Sequence, residues 1–248
     1  MSKKNILVTG SKGFIGKNLI KKLKENKNIV IYEFARESTL KELETYIEKI
    51  DFIFHLAGEV RPKSDDIVFR EANTTLTQNI IELLEVKQHY IPIIMSSSIH
   101  AQLQKNIYGI TKREAELLIE DYAKKHNVCA INYRLPHVFG EGCKPNYNSV
   151  ISTWIYNIIR DEEIIIYDRT IPMEYVYVQD IIDEFITYTN EEKICDKTYI
   201  FPSLTYHTTL GSIADLLNEL KINPNKKYVL NSLEEKIKIV FNDYLKYS

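Results

Sequence analysis

Gly10-Ser11-Lys12-Gly13-Phe14-Ile15-Gly16 follows the apolar run Ile6-Leu7-Val8 and opens an amphipathic segment, Leu19-Ile20-Lys21-Lys22-Leu23. The 248-residue chain contains eight glycines, and three of them stand in this one turn, which argues for a place where a Cβ is not tolerated. The arrangement predicts a strand, a tight turn and a helix. A side chain in the turn would block the close approach of a ligand, and the helix N-terminus presents free amides and a positive dipole end to a phosphate. An ordinary strand-to-helix turn has the same outline, so the rest of the chain has to discriminate.

The totals narrow the classes. Length allows one large α/β domain or a domain with a small appendage. A 44% hydrophobic and 27% charged composition, with a net charge of -2 and interleaved signs, describes a globular protein without the basic footprint of a nucleic-acid binder. Cys129, Cys143 and Cys195 have neither CxxC spacing nor histidine neighbours, which predicts no metal site and incidental thiols in a reducing compartment. Met-Ser-Lys-Lys-Asn runs directly into an apolar strand, and no apolar run has membrane-spanning length, so a cytoplasmic location without a signal peptide or membrane contact is expected.

The spacing G-x-x-G-x-x-G is a variant of the dinucleotide spacing G-x-G-x-x-G. Ile29 to Phe34 reads as a second strand, and the residue that ends it bears on the cofactor. An acid at this tip accepts from a ribose 2′-hydroxyl in NAD sites. Here the tip is Phe34-Ala35-Arg36, with Glu33 just before and Glu37 just after. Arg36 fits a 2′-phosphate through its planar fork and Lys12 adds charge, favouring NADPH over NAD; a solvated loop charge is the other reading of Arg36.

Further on, residues 39–50 have helical spacing, and Asp51 to Gly58 is a run apolar on both faces, as a buried parallel strand is. His55 reads as a packed strand residue, and Ala57-Gly58 would let backbone pass close to a cofactor. After a polar loop and a helix through Leu76 to Leu84, Ile91-Pro92-Ile93-Ile94-Met95 ends in Ser96-Ser97-Ser98. Open α/β sheets bind ligands at such carboxyl ends. Tyr108 and Lys112, four apart at the start of the next helix, share a face, where an ammonium lowers a phenol towards working pH. The strand from Cys129 to Arg134 leads out through Leu135 to Gly142. In the remainder, Ile164-Ile165-Ile166, Tyr175 to Val178 and Tyr199-Ile200-Phe201 read as strands, Asp180 as a helix cap, and Leu210–Leu220 and Leu233–Tyr244 as helices.

The ordered set is Gly10-x-x-Gly13-x-x-Gly16, Asp51-x-x-x-His55-Leu56-Ala57-Gly58, Asn73, Ser96-Ser97-Ser98, Tyr108-x-x-x-Lys112, Arg134-x-Pro136-x-x-Phe139-Gly140 and Tyr177-Val178-x-Asp180. Together these resemble the extended short-chain dehydrogenase/reductases, the nucleotide-sugar epimerases, dehydratases and reductases. Gly16-Lys17-Asn18-Leu19, Ser98 close before Tyr108-Gly109, and Cys143 through Ile151 resemble in particular the CapF/WbjC-type enzymes of bacterial surface-polysaccharide synthesis, which join a reductase domain to a C-terminal cupin, so a stand-alone reductase or an isolated reductase domain is expected here.

The resemblance implies a Rossmann-like parallel sheet with helices on both faces over residues 1–140 and a small substrate lobe over 141–248, with strands around 164–178 and 198–201. It implies Tyr108 as proton donor, Lys112 as its partner on the ribose, and Ser98 on the substrate oxygen. Gly10, Lys12, Gly13, Phe14, Ile15, Gly16, Arg36, Leu56, Ala57, Gly58 and Asn73 would complete the cofactor side. His137 stands where many relatives have Asn, and Lys144, Asn146 and Ser149 would line a nucleotide-sugar pocket with Arg169 on the diphosphate. The activity implied is NADPH-dependent reduction of a UDP-4-keto-6-deoxy-2-acetamido sugar for capsule or lipopolysaccharide synthesis by a homodimer, paired through helices near residues 74–86 and 109–126. The alternatives are an NAD-retaining 4-epimerase or 4,6-dehydratase, or a non-catalytic NADPH-sensing module.

Overall fold

A computed structural model of the chain describes residues 3–60, 66–147, 149–189 and 197–246. The elements run β1 (Lys4–Thr9), α1 (Phe14–Leu23), β2 (Ile29–Phe34), α2 (Leu40–Ile47), β3 (Phe52–His55), α3 (Asp66–Phe69), a π-helical turn (Arg70–Thr75), α4 (Leu76–Val86), β4 (Ile93–Ser98), α5 (Ile99–Leu103), α6 (Ile107–His126) and β5 (Ala130–Leu135). There follow β6 (His137–Phe139), α7 (Val150–Ile159), β7 (Pro172–Tyr177), α8 (Val178–Thr187), β8 (Tyr199–Ile200), β9 (Tyr206–Thr209), α9 (Leu210–Ile222) and α10 (Leu233–Leu245).

The chain divides into two compact units, Met1–Leu135 with Ile182–Pro202, and Pro136–Ile181 with Ser203–Ser248. The first is built on a six-stranded sheet in the order β2-β1-β3-β4-β5-β8, in which every pairing is parallel. Sequential strands depart from β1 in opposite directions, to β2 on one side and β3 on the other, which makes the carboxyl end of β1 a switch point where ligands bind in such sheets. The register aligns that end: Thr9 lies opposite Phe34 and His55, and Ser98 opposite Leu135. Parallel strands buried on both faces need continuous apolar sequence, and Ile6, Leu7, Val8, Ile53, Phe54, Ile93 and Ile94 are fully buried. Each such side chain contributes about 2 kcal/mol of transfer free energy.

The second unit holds a three-stranded sheet, β6-β7-β9, and a core in which α7, α9 and α10 contribute Trp154, Ile155, Leu217 and Phe241. Three local expectations change. Tyr199-Ile200, read as part of the C-terminal lobe, pairs with Asn132 and Tyr133 of β5 at the edge of the larger sheet. Ile164-Ile165-Ile166 forms no strand: Ile164 and Ile166 pack on the second core while Ile165 stays exposed, so alternation is met without a ladder partner. Asp180 sits inside the first turn of α8 rather than at its cap, because the helix begins at Val178. Among the cysteines, Cys129 is disulfide-bonded and Cys143 is free and buried; Cys195 lies outside the described residues. The expectation of incidental thiols therefore fails at Cys129.

Candidate active site

The glycine turn packs directly on the strand beside it. Gly10 has φ +67°, and a Cβ there would sit 2.8 Å from the backbone of Leu56 and Ala57. A Cβ on Gly16 would overlap the Gly10 carbonyl, so α1 can start this close to β1 only without one. Gly13 caps α1 with no side-chain hydrogen bond, which leaves the first-turn amides of Phe14, Ile15 and Gly16 without a side-chain acceptor at the helix start. Beside them the buried Ser11 hydroxyl has no partner. An orphaned hydroxyl at a helix N-terminus is a cradle for a phosphate.

The two bases expected to read a 2′-phosphate are both engaged. Arg36 donates from Nη2 to Oε2 of Glu59 at 2.7 Å, and Lys12 pairs with Glu37. Glu59 is almost fully buried whereas Arg36 is largely exposed, so the acid is the fixed member of its pair. Glu37, the acid just past the strand tip, lies within reach of the turn lysine, and opposite charges at that distance associate.

The end of β3 is held by a buried polar chain. Thr77 has one hydroxyl proton and gives it to the Asn73 carbonyl, so it accepts from Nε2 of His55 at 2.8 Å. Nδ1 of His55 is then bare and accepts from the Thr9 hydroxyl at 2.8 Å, and Thr9 in turn accepts from the Ala57 amide. Burial pushes His55 down to about 3 and keeps it neutral, in line with a packing role. Asn73, in the π-helical turn, accepts from the Glu59 amide and donates to the Glu59 carbonyl and Thr111 Oγ1. A Cβ on Gly58 would lie 2.8 Å from Asn73 Oδ1 and 3.1 Å from Lys112 Nζ, so these three close on one another. Such wide turns inside helices often mark functional positions.

At the carboxyl end of β4, Ser98 caps α5 by accepting from the His100 amide, and Asn106 caps α6 by accepting from the Gly109 amide at 2.9 Å. The α6 cap puts Tyr108 in the first helical turn and Lys112 one turn on. Burial raises the Tyr108 phenol, and a hydrogen bond with the Ser98 side chain opposes the rise. The phenol ring lies between Phe69 and His100, with centroids 6.2 and 5.9 Å away. Lys112 is buried; its Nζ donates to the Ser96 carbonyl at 2.8 Å, and desolvation pushes it down to about 8 against the favourable charge of Glu116. The phenol is thus raised, the opposite direction to the one expected of a neighbouring ammonium, and Lys112 donates to the Ser96 carbonyl. A phenol protonated at neutral pH beside a hydroxyl suits proton donation to an oxygen.

The remaining expected residues lie in the second unit. His137 opens β6 and is exposed, with its ring 5.8 Å from that of Tyr175. Lys144 and Asn146 are in the loop before α7, where the Asn146 amide donates to Thr153, and Ser149 caps α7 by accepting from the Ser152 amide. Arg169, expected on a diphosphate, is paired with Asp215 at 2.7 Å and donates to the Gly211 carbonyl. Sequence reading assigned no role to Ser11, Thr111 or Glu116, and took Ser97 only as part of the serine triplet; Glu116 had a signal, standing four residues beyond Lys112 on the same helical face. Among the described residues, no group of three His, Cys, Asp or Glu is placed to hold a metal ion, and no helix is long and apolar enough to cross a membrane.

The NAD dependent epimerase/dehydratase family matches residues 6–199, from β1 to β8. The chain belongs to this family. A protein from Pseudomonas aeruginosa, UDP-2-acetamido-2,6-beta-L-arabino-hexul-4-ose reductase, is 35% identical over 216 residues, which cover 87% of this chain and 57% of that protein. The capsular polysaccharide assembling protein CapF of Staphylococcus aureus superposes with a TM-score of 0.85 at 35% identity, over 97% of this chain and 65% of that one. The chain thus spans less than two thirds of each of these relatives. UDP-glucuronic acid 4-epimerase of Bacillus cereus, solved in complex with NAD, shares the fold with a TM-score of 0.82 at 18% identity. The family implies a nicotinamide dinucleotide, and the residues present fit one. The close-packed glycine turn, the first-turn amides and the orphaned Ser11 hydroxyl suit its pyrophosphate, and the Gly58, Asn73 and Lys112 cluster offers polar groups at the same sheet end.

Proposed function

We propose that this protein is an NADPH-dependent reductase acting at C-4 of a UDP-linked 4-keto-6-deoxy-2-acetamido hexose, supplying a deoxy amino sugar for a bacterial capsule or lipopolysaccharide. The observation that carries the reading is buried Lys112, tied to the Ser96 carbonyl at the serine end of β4 and one helical turn beyond Tyr108, in a chain 35% identical to a protein named as a UDP-acetamido-hexul-4-ose reductase.

In this reading the first unit holds the dinucleotide through the glycine turn, Leu56, Ala57, Gly58, Asn73 and Lys112. The second unit takes the sugar nucleotide through His137, Lys144, Asn146 and Ser149, with Arg169 on the diphosphate. When bound, the dinucleotide would supply the hydride that reduces the carbonyl. Tyr108 gives its phenol proton to the carbonyl oxygen, and Ser98 donates a hydrogen bond to that oxygen as negative charge develops. The ketone becomes a secondary alcohol, and the Tyr108 phenolate recovers a proton from water. Exposed Val86 on α4 and Ile110 and Leu117 on α6 suit the pairing surface of a homodimer, and a cytoplasmic site of action goes with the reading.

The test is Tyr108→Phe. Turnover of a UDP-4-keto sugar falls at least about a hundredfold, while NADPH binding by nicotinamide fluorescence persists; full turnover in the variant overturns the assignment. A second reading, an NAD-retaining 4-epimerase or 4,6-dehydratase, is favoured by the engagement of Arg36 and Lys12 with Glu59 and Glu37. It requires NAD to copurify and no net consumption of reduced dinucleotide, which mass spectrometry and stoichiometry decide.

A further inference from the structure

Three consecutive residues of β4 are each tied to α6. The Ser98 side chain meets Tyr108, the Ser96 carbonyl accepts from Lys112 at 2.8 Å, and the Ser97 hydroxyl donates to Oε1 of Glu116 at 2.6 Å. Tyr108, Lys112 and Glu116 are spaced four apart, so one helical face makes all three ties. The third differs from the others in its depth. Glu116 is completely buried, and its carboxylate is gripped by Arg134 through Nε at 2.9 Å and Nη2 at 2.7 Å, and by Arg113 at 2.9 Å. Arg134 stands directly opposite Ser97 in the β4–β5 register. Glu116 therefore clasps neighbouring residues on two adjacent strands, while its own backbone carbonyl accepts from Asn132. Tyr199 of β8 stacks on Arg134 at 4.3 Å, and the same Nη1 of Arg113 that donates to Glu116 also donates to Glu120.

We propose that Glu116 is a positioning residue: through Ser97 and Arg134 it fixes the register of α6 against the serine end of β4 and so sets where Tyr108 and Lys112 stand. The inference rests on the reading of those two residues as the reacting side chains. A helix seated on apolar contacts alone can slide or rotate with little penalty. A buried carboxylate cannot, because any slip of α6 takes it away from the Arg134 guanidinium and the Ser97 hydroxyl, while Arg113 travels with it on the same helix, and single buried polar groups are known to fix register in this way. The reaction needs that register, since displacement by about 1 Å can cost about a hundredfold in rate. Glu116 also favours the Lys112 ammonium. Neutral His55 on β3 also senses the Lys112 charge, and Asn73 lies uncharged beside the same ammonium.

Ser97→Ala cuts the tie to β4 and leaves the ion cluster whole. It lowers kcat about tenfold, with KM and the NADPH dissociation constant changed by less than about twofold, and it speeds amide exchange in the first turn of α6. Glu116→Gln keeps the shape, lowers kcat and moves the alkaline limb of kcat to lower pH. The Lys112 titration, followed by lysine side-chain NMR and identified by its loss in Lys112→Met, moves the same way without any turnover. If the wild type does not reduce a UDP-4-keto sugar but the NMR and exchange changes appear, the reductase reading fails and the register role stands. Where Glu116→Gln does not fold, Ser97→Ala decides. Wild-type kcat and exchange in Ser97→Ala overturn the proposal, as does a Lys112 titration unmoved in a folded Glu116→Gln.

Discussion

Lys112 Nζ donates to the Ser96 carbonyl at 2.8 Å from within a buried site, so the ammonium is kept by a single backbone acceptor and the nearby charge of Glu116. Desolvation wins, and the group titrates at about 8 instead of 10.5. A lysine depressed on folding binds its proton more readily in the unfolded chain, so stability rises with pH between these two values. From the wild type this site draws about 3 kcal/mol across that window. Denaturant unfolding at pH 7.5 and 10, as about the two sides of the window, should show the difference between wild type and Lys112→Met swinging in favour of the wild type. A constant difference would mean that Lys112 titrates normally.

Ser11 carries an opposed pair of effects. Its hydroxyl is buried and unpartnered, so Ser11→Ala leaves stability unchanged or raises it by up to about 1 kcal/mol. The same change removes a donor from the glycine turn and weakens dinucleotide binding about five- to tenfold. Thermal melting and fluorescence titration of one variant measure both signs. Loss of stability together with unaltered affinity would place the hydroxyl outside the phosphate cradle.

Under the proposed NADPH reading, the Arg36–Glu59 pair at 2.7 Å sets a resident carboxylate against an incoming 2′-phosphate. Glu59→Gln frees the guanidinium and raises NADPH affinity over NADH about tenfold, whereas Arg36→Ala removes the preference. Parallel titrations with the two dinucleotides check this. Equal affinities in all three proteins would leave Arg36 no part in the selection.

The course of the sheet was legible because buried parallel strands write themselves as apolar runs and because the glycine turn, the serine triplet and Tyr108-x-x-x-Lys112 come in sequence order. Helix spacing likewise placed Tyr108 and Lys112 on one face of α6. What escaped were partnerships made across many residues. The sequence offers Arg36 several acids, and only the folded chain brings it Glu59, 23 positions away. Ser97 and Glu116 lie 19 residues apart, and nothing in either local pattern announces a bond. Tyr199-Ile200 has the composition of any short strand, so its place beside β5 depends on where the chain returns.

That return has a genealogical consequence. The backbone passes between the two units after Leu135, Ile181 and Pro202, and the second passage falls within the continuous helix α8. A lobe inherited as one contiguous gene segment can be swapped by a single recombination event; this one cannot. Exchanging the second unit for that of a relative needs three junctions, one of them inside a helical turn. Diversification of the loop from Cys143 to Ile151 should therefore proceed by substitution in place, with both units descending together as one lineage.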